Sequence, residues 1–342
     1  MEWFNNIVRT VRSWGAPRET NPERISDARQ TVGAATGQIM NAYGGRGTVF
    51  ALNYRDEDYL ITNAHVTNNL YSHTTGFIYN GKNYFLISDG EQIAFAEHIA
   101  FNPQGGACGT GNSFNTGAPF RDLSILRQTS PAQTRAMIIN LSYDPDAWPR
   151  IMQQLRTNQP AIASTMNDQT LSAEELQTLT NGFALPPIPV SRDDLRRQRR
   201  TDSSYSIGGF RNVDDYVPSR TTARGVGIPN STIELIFGED SPIVRGHSGS
   251  LLYDVNRRGD IQPLGVVTGV VPCSNEAAAV RFSEVLDGLD IVRARLQASG
   301  ADLVSFCRAG ASGASVWIGA EGVVPTSAPR PTPAPARQCP AH

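Results

Sequence analysis

The chain has 342 residues, 39% of them apolar and 18% charged, with a formal net charge of −2. That length suits one large domain or two ordinary ones, and the apolar fraction excludes wholesale disorder. A near-neutral balance gives no global electrostatic reason to coat nucleic acid or an acidic membrane, and no apolar run reaches the roughly 18 residues that a membrane span needs. The 31 glycines and 22 prolines point to many turns. Cys108, Cys273, Cys307 and Cys339 form no C-x-x-C pair, which argues against a structural zinc site or a redox motif. The start Met1-Glu2-Trp3-Phe4 does not read as a secretory signal, because Glu2 precedes the first apolar group and Arg9 and Arg12 interrupt it. A cytoplasmic location with reduced cysteines is the expectation.

In chain order, Trp3, Phe4, Ile7, Val8, Val11 and Trp14 share one helical stripe. This helix packs on its own domain, or else lies on a membrane surface or a partner. A second helix opens at Asn21-Pro22-Glu23 and is expected to close near Gly44-Gly45. From Gly47 the texture turns to strands, at 48–52, 58–62, 76–79, 83–87 and 123–126, with Asn80-Gly81 as a hairpin signal. Residues 104–119 read as one long surface loop. Residues 143–203 read as an insertion, with helices near 146–157 and, opened by Ser172, near 172–181. A Pro186-Pro187-Ile188-Pro189 stretch follows, then an arginine run from Arg192 to Arg200 that lacks interleaved aromatics and reads as a solvated loop, not a nucleic-acid site. Strands return at 205–209, 232–237, 249–253 and 264–271, then a helix at 283–296 and a proline-rich tail that reads as disordered.

Three segments carry chemistry. His65 lies just past an apolar strand in Thr62-Asn63-Ala64-His65-Val66, Asp122 enters another strand, and Ser248 sits among glycines in Gly246-His247-Ser248-Gly249-Ser250. Serine is a poor nucleophile until a base removes its proton, and an imidazole works best as that base when a carboxylate fixes its tautomer. A lone histidine after a strand or an aspartate before one is usually structural, so only the three together make the case. His247 is a poor candidate for the base, because adjacent side chains on an extended turn point apart. His73, His98 and His342 lack a metal spacing and read as surface or loop residues.

These boxes resemble the trypsin-like, chymotrypsin-fold serine proteases, and within them the bacterial high-temperature-requirement (HtrA-like) branch. The histidine box is Thr62 to Val66, the aspartate box Asp122 to Leu126, the serine box Asp240 to Ser250, and Gly265 to Gly269 resembles the substrate-pairing strand. The resemblance spans 45–142 and 203–297. It implies an all-β fold of two antiparallel β-barrels of the chymotrypsin type, here with an N-terminal helical arm and a C-terminal helix. The implied division is an arm at 1–44, a first barrel at 45–142, the insertion at 143–203, a second barrel with its helix at 204–297, and a tail at 298–342.

By the same resemblance His65 is general base and acid, Asp122 its orienting carboxylate and Ser248 the nucleophile. The backbone N–H groups of Gly246 and Ser248 form the oxyanion hole. Ile243, Thr268, Gly269 and Val270 bind substrate, with a preference for small or medium apolar side chains, since Pro242 stands where trypsin itself is acidic. No metal or organic cofactor is implied, and the expected partners are protein or peptide substrates. His247 replaces the aspartate that receives a freed N-terminus in animal relatives, so activation by that salt bridge is not supported. The 46 residues after Leu296 are too few for a PDZ domain. An α/β-hydrolase would need Gly-x-Ser-x-Gly followed by its histidine, and residue 250 is serine. A self-processing or viral-type maturation protease would carry the same boxes, and so could a catalytically silent binding module of the protease fold.

Overall fold

The computed structural model describes residues 22–40, 46–67, 76–101, 122–166, 171–179, 181–193, 204–211, 215–216, 219–222, 234–238, 246–256, 258–270, 276–299, 306–308 and 315–317. The amphipathic stripe of residues 1–14, the loop at 104–119, most of the arginine run and the proline-rich tail lie outside them, as do His73, His342, Ile243, Cys108, Cys273 and Cys339.

Helix α1 (Pro22–Ala34) ends ten residues earlier than the glycine pair suggests, and the chain enters strand β1 (Thr36–Met40). The Thr36 hydroxyl donates to the Val32 carbonyl at 2.6 Å and closes the last helical turn. Ile39 and Met40 are adjacent and both fully buried, which suits opposite faces of a strand and not one helical stripe.

Strands β2 (Arg46–Tyr54), β3 (Glu57–Thr62), β4 (Phe77–Tyr79), β5 (Lys82–Ser88), β6 (Ile93–Phe101) and β7 (Ser124–Gln128) join β1 in one sheet. The order β1-β2-β3-β7-β6-β5 closes because β1 also pairs with β5, and β4 hangs on β5 as an edge. The β4–β5 hairpin turns on Asn80 and Gly81, at φ 49° and 75°, as its sequence predicts.

Alternation along these strands divides their side chains between different neighbours. Ile39, Val49, Ala51, Leu60, Phe85, Ile87, Ala94, Ala96 and Leu126 come from all six barrel strands and fill the lumen. Phe50, Leu52, Tyr54, Tyr59 and Ile61 face outward onto the second sheet and the C-terminal helix. Met40, Phe77, Leu86 and Phe95 face outward onto the helices of the insertion. A barrel covered on both faces explains why β2 is buried almost throughout, without the alternating exposure of a solvated sheet.

The covering helices are α3 (Pro131–Ser142), α4 (Ala147–Asn158), α5 (Pro160–Ser164) and α6 (Ala173–Leu179). On α4, Trp148, Ile151, Met152 and Leu155 recur at i, i+3, i+4 and i+7 and are all buried. Ser172 and Glu175 form a capping box, each side chain bonded to the other's backbone N–H at 3.1 and 2.5 Å. The Pro186–Pro189 stretch, unassigned from sequence, runs into strand β8 (Ile188–Val190), which pairs in parallel with β2 at Leu52–Tyr54, beyond where β1 ends. Arg192 then binds Asp287 and Asp290, so the first residue of the arginine run is an ion-pair anchor, not a solvated one.

The second sheet has six antiparallel strands in the order β12-β9-β14-β15-β16-β13: β9 (Ser204–Gly208), β12 (Ser219–Thr222), β13 (Glu234–Gly238), β14 (Leu251–Val255), β15 (Ile261–Val270) and β16 (Glu276–Arg281). Two-residue strands β10 (Phe210–Arg211) and β11 (Asp215–Tyr216) form a separate pair. Helix α7 (Phe282–Ser299) packs Val285, Leu286, Leu289 and Val292 against both sheets. A last pair, β17 (Phe306–Arg308) with β18 (Ser315–Trp317), falls where no regular structure was expected. A closed six-stranded antiparallel barrel beside a second six-stranded antiparallel sheet, with a C-terminal helix, matches the chymotrypsin-type double barrel.

Candidate active site

The histidine box folds as β3 followed by the single turn α2 (Ala64–Thr67), which lifts His65 off the end of the strand. The His65 backbone N–H donates to Asp122 Oδ1 at 2.9 Å, and its ring Nδ1 meets Asp122 Oδ2 at 2.5 Å. Asn63, fully buried, donates from Nδ2 to the Asp122 carbonyl at 2.9 Å. Thr67 donates to the Ser124 hydroxyl at 2.9 Å, joining α2 to β7 below the pair. The His65 and Asp122 side chains are only 27% and 13% exposed. Burial works against the charged imidazole, but the Asp122 charge and hydrogen bond outweigh it, and the His65 pKa lies above its ordinary value. With Nδ1 held by the carboxylate, Nε2 is the ring nitrogen left for a second partner.

The serine box comes from the other sheet. Gly246 and Gly249 have φ of 103° and 91°, a region that a β-carbon resists. The carbonyls of the turn are held one after another. Gly246 O accepts from Thr48 Oγ1 at 2.7 Å, His247 O from Ser250 N at 2.9 Å, and Ser248 O from Thr48 N at 2.7 Å. A trans peptide points its C=O and N–H in opposite directions, so each held carbonyl aims the next N–H the other way. The Gly249 N–H accordingly reaches Val267 O at 2.9 Å. The Gly246 and Ser248 N–H groups donate to no acceptor among the described residues. His247 is buried while Ser248 is partly exposed, so the adjacent side chains part as expected.

The two boxes meet at Gly47 and Thr48. A β-carbon on Gly47 would lie 2.7 Å from the Val66 side chain and 3.0 Å from Ser248 O, so the residue after His65 and the Ser248 backbone flank the same glycine. Thr62, three residues before His65, donates to Thr48 O at 2.7 Å. On β15 the register skips from Val267 to Gly269, leaving Thr268 as the extra residue of a bulge, and the Ser248 hydroxyl donates to its carbonyl at 3.3 Å. Gly269 borders open space. Of the expected substrate-binding set, Thr268 and Gly269 lie beside the serine turn, the Val270 side chain is not described, and Ile243 is outside the described residues.

His98 stands in β6, not in a surface loop. Its ring meets Phe85 edge-on at 6.0 Å, and burial pushes its pKa down to about 3 against the pull of a hydrogen bond with the Ala100 backbone. Among the described residues no group of three or more His, Cys, Asp and Glu could hold a metal ion, and no helix is long and apolar enough to cross a membrane. Sequence reasoning missed Thr48 and Asn63, which bond to the expected residues, and Thr67, which bonds to Ser124 two residues after Asp122, through contacts that no local pattern announces.

No protein-family model and no curated protein matches the chain. Among solved structures it is similar to Rv3671c from M. tuberculosis H37Rv in an inactive form, at 14% identity over 81% of this chain and 97% of that one, with a TM-score of 0.40. It is similar to the HtrA-type protease AlgW at 15% identity, over 82% of this chain and 66% of that one, with a TM-score of 0.43. A thermostable serine protease AL20 from an extremophilic microorganism matches at 10% identity, over 75% and 96% of the two chains, with a TM-score of 0.42.

Proposed function

We propose that the chain is a serine endopeptidase that cleaves peptide bonds through an acyl-enzyme. Ser248 attacks the scissile carbonyl as His65 takes its proton through Nε2, and the same imidazole then protonates the leaving amine. Asp122 holds the ring in the productive tautomer and stabilises the imidazolium. The N–H groups of Gly246 and Ser248 bind the oxyanion, and water releases the acyl group. The backbone of Thr268, Gly269 and Val270 pairs with the substrate, and the preferred side chain before the scissile bond is small or medium and apolar.

The observation that carries this reading is the His65–Asp122 pair on one sheet together with a glycine turn from the other, whose N–H groups at 246 and 248 donate to no acceptor among the described residues. A fluorophosphonate probe tests it. Labelling at Ser248 in the wild type and none in Ser248→Ala is expected, and an unlabelled, folded wild type would overturn the assignment. Cleavage of a peptide library by the wild type reads out the side-chain preference, and cuts after basic residues would overturn the apolar pocket.

A further inference from the structure

We infer that Thr48, a residue of the first barrel, is a positioning residue that presets the oxyanion-binding turn of the second. The inference rests on the protease reading and deepens it.

Thr48 is fully buried and uses all three of its polar groups on the site. Its N–H donates to Ser248 O and its hydroxyl to Gly246 O, both at 2.7 Å, while its own carbonyl accepts from Thr62 three residues before His65. Two of the three consecutive carbonyls in the nucleophile turn are therefore held by one residue of the other sheet. Pinning the Gly246 carbonyl fixes the Gly246–His247 peptide plane, at a glycine whose missing β-carbon leaves that plane otherwise free to turn. Pinning the Ser248 carbonyl fixes the plane on the far side of the nucleophile. Between them stands the Ser248 N–H, and before them the Gly246 N–H, the two donors that the oxyanion needs.

The approach is close enough to be specific. A β-carbon on Gly249 would come within 1.9 Å of the Thr48 carbonyl, so the turn and the strand are in backbone contact. A preorganised donor pair acts without reorganisation at the moment of reaction, and donors free to swing lose that advantage.

The test is Thr48→Val, which keeps the shape and the backbone N–H but removes the hydroxyl, beside Thr48→Ser, which keeps the hydroxyl. With a fluorogenic peptide bearing alanine before the scissile bond, Thr48→Val is expected to lower kcat about ten- to a hundredfold with KM unchanged. Affinity for a peptide boronate should fall by a similar factor while affinity for the carboxylate product peptide holds. Thr48→Ser should restore both. Thermal midpoints are measured on all three proteins, so that lost folding is not read as lost catalysis. A Thr48→Val protein with wild-type kcat and an unchanged boronate-to-product affinity ratio would overturn the role of Thr48, whatever its stability. Fluorophosphonate labelling is run in parallel: a wild type that fails to label sinks the protease reading itself, whereas a labelled wild type beside an unaffected Thr48→Val sinks only this inference.

Discussion

The two halves of the candidate site are built from different materials. On the first barrel, His65 and Asp122 are positioned by side chains: a carboxylate on a ring nitrogen and a backbone N–H, an amide from Asn63, and a buried hydroxyl pair beneath. On the second, Ser248 is positioned by backbone: three carbonyls held in sequence around two glycines with positive φ. The first half depends on charge. The second has little charge to lose but no room for a side chain at Gly249, where a β-carbon would lie 1.9 Å from Thr48 O.

Under the proposed chemistry the largest effects come from removing the reacting groups on either side. Ser248→Ala and His65→Ala are each expected to lower kcat about 10⁶-fold, and the double substitution should cost little more than either alone, because the two act as one unit. Stopped assays on all three proteins check this. Additive losses would mean that the halves do not work together.

Asp122→Asn addresses the charge-built half. A drop of about 10⁴-fold in kcat is expected, from loss of the orienting charge and the correct tautomer. The pH profile carries a sharper signature. The wild-type His65 pKa is raised, so the acid limb of kcat/KM should lie above the ordinary histidine value of about 6.5 and move to lower pH in Asp122→Asn. The sign for stability is opposite. A raised folded pKa favours the protonated imidazole, so this contribution is complete below about pH 6.5 and fades as pH rises through the folded value. The pair therefore stabilises the fold most where the base is least able to act. Unfolding midpoints from pH 5 to 9 should show this decline in the wild type and not in Asp122→Asn.

Gly249→Ala probes the backbone-built half. The new methyl would meet Thr48 O at 1.9 Å and Thr62 Oγ1 at 2.4 Å, at a φ of 91°. Gly182→Ala is the control, since its φ of 78° is strained in the same way but a β-carbon there meets nothing within 4 Å. The control should lose about 1–2 kcal/mol from backbone strain alone, and Gly249→Ala more than about 3 kcal/mol from strain plus overlap. Equal losses in denaturant titrations would show that the contact between the sheets yields easily.

This division also explains what could be read from the chain. Under the proposed chemistry His65, Asp122 and Ser248 stand out in the chain because that chemistry demands particular residue types beside particular strands, and Asn80-Gly81 was legible because a two-residue hairpin needs positive φ. Strand β1 was not, because Val32, Ile39 and Met40 continue a plausible helical pattern and only barrel closure onto β5 decides for a strand. The alanines of β16 carry no strand signal of their own, and the sheet imposes the conformation from both sides. Thr48 reads as an ordinary strand threonine. Its role exists only once residues 198 positions apart are brought together.

The smallest expected effect separates the halves most cleanly. Thr67 and Ser124 are fully buried hydroxyls bonded to each other beneath the His65–Asp122 pair. Thr67→Val strands the Ser124 hydroxyl and should cost about 1–3 kcal/mol, whereas Ser124→Ala should cost less, because the Thr67 hydroxyl also lies 3.3 Å from the Ala64 carbonyl and 3.5 Å from that of Asn63. The double substitution removes both polar groups and leaves an apolar contact of nearly the same shape. It should cost less than Thr67→Val alone, with kcat within a few-fold of wild type because the Asn63 and backbone contacts to Asp122 remain. Side-chain construction permits such a matched exchange; the serine turn, held through its own peptide groups, has no equivalent substitution. If the double variant instead loses the sum of the two single costs, the hydroxyl pair is part of a wider polar network, and the base-bearing half is as unforgiving as the other.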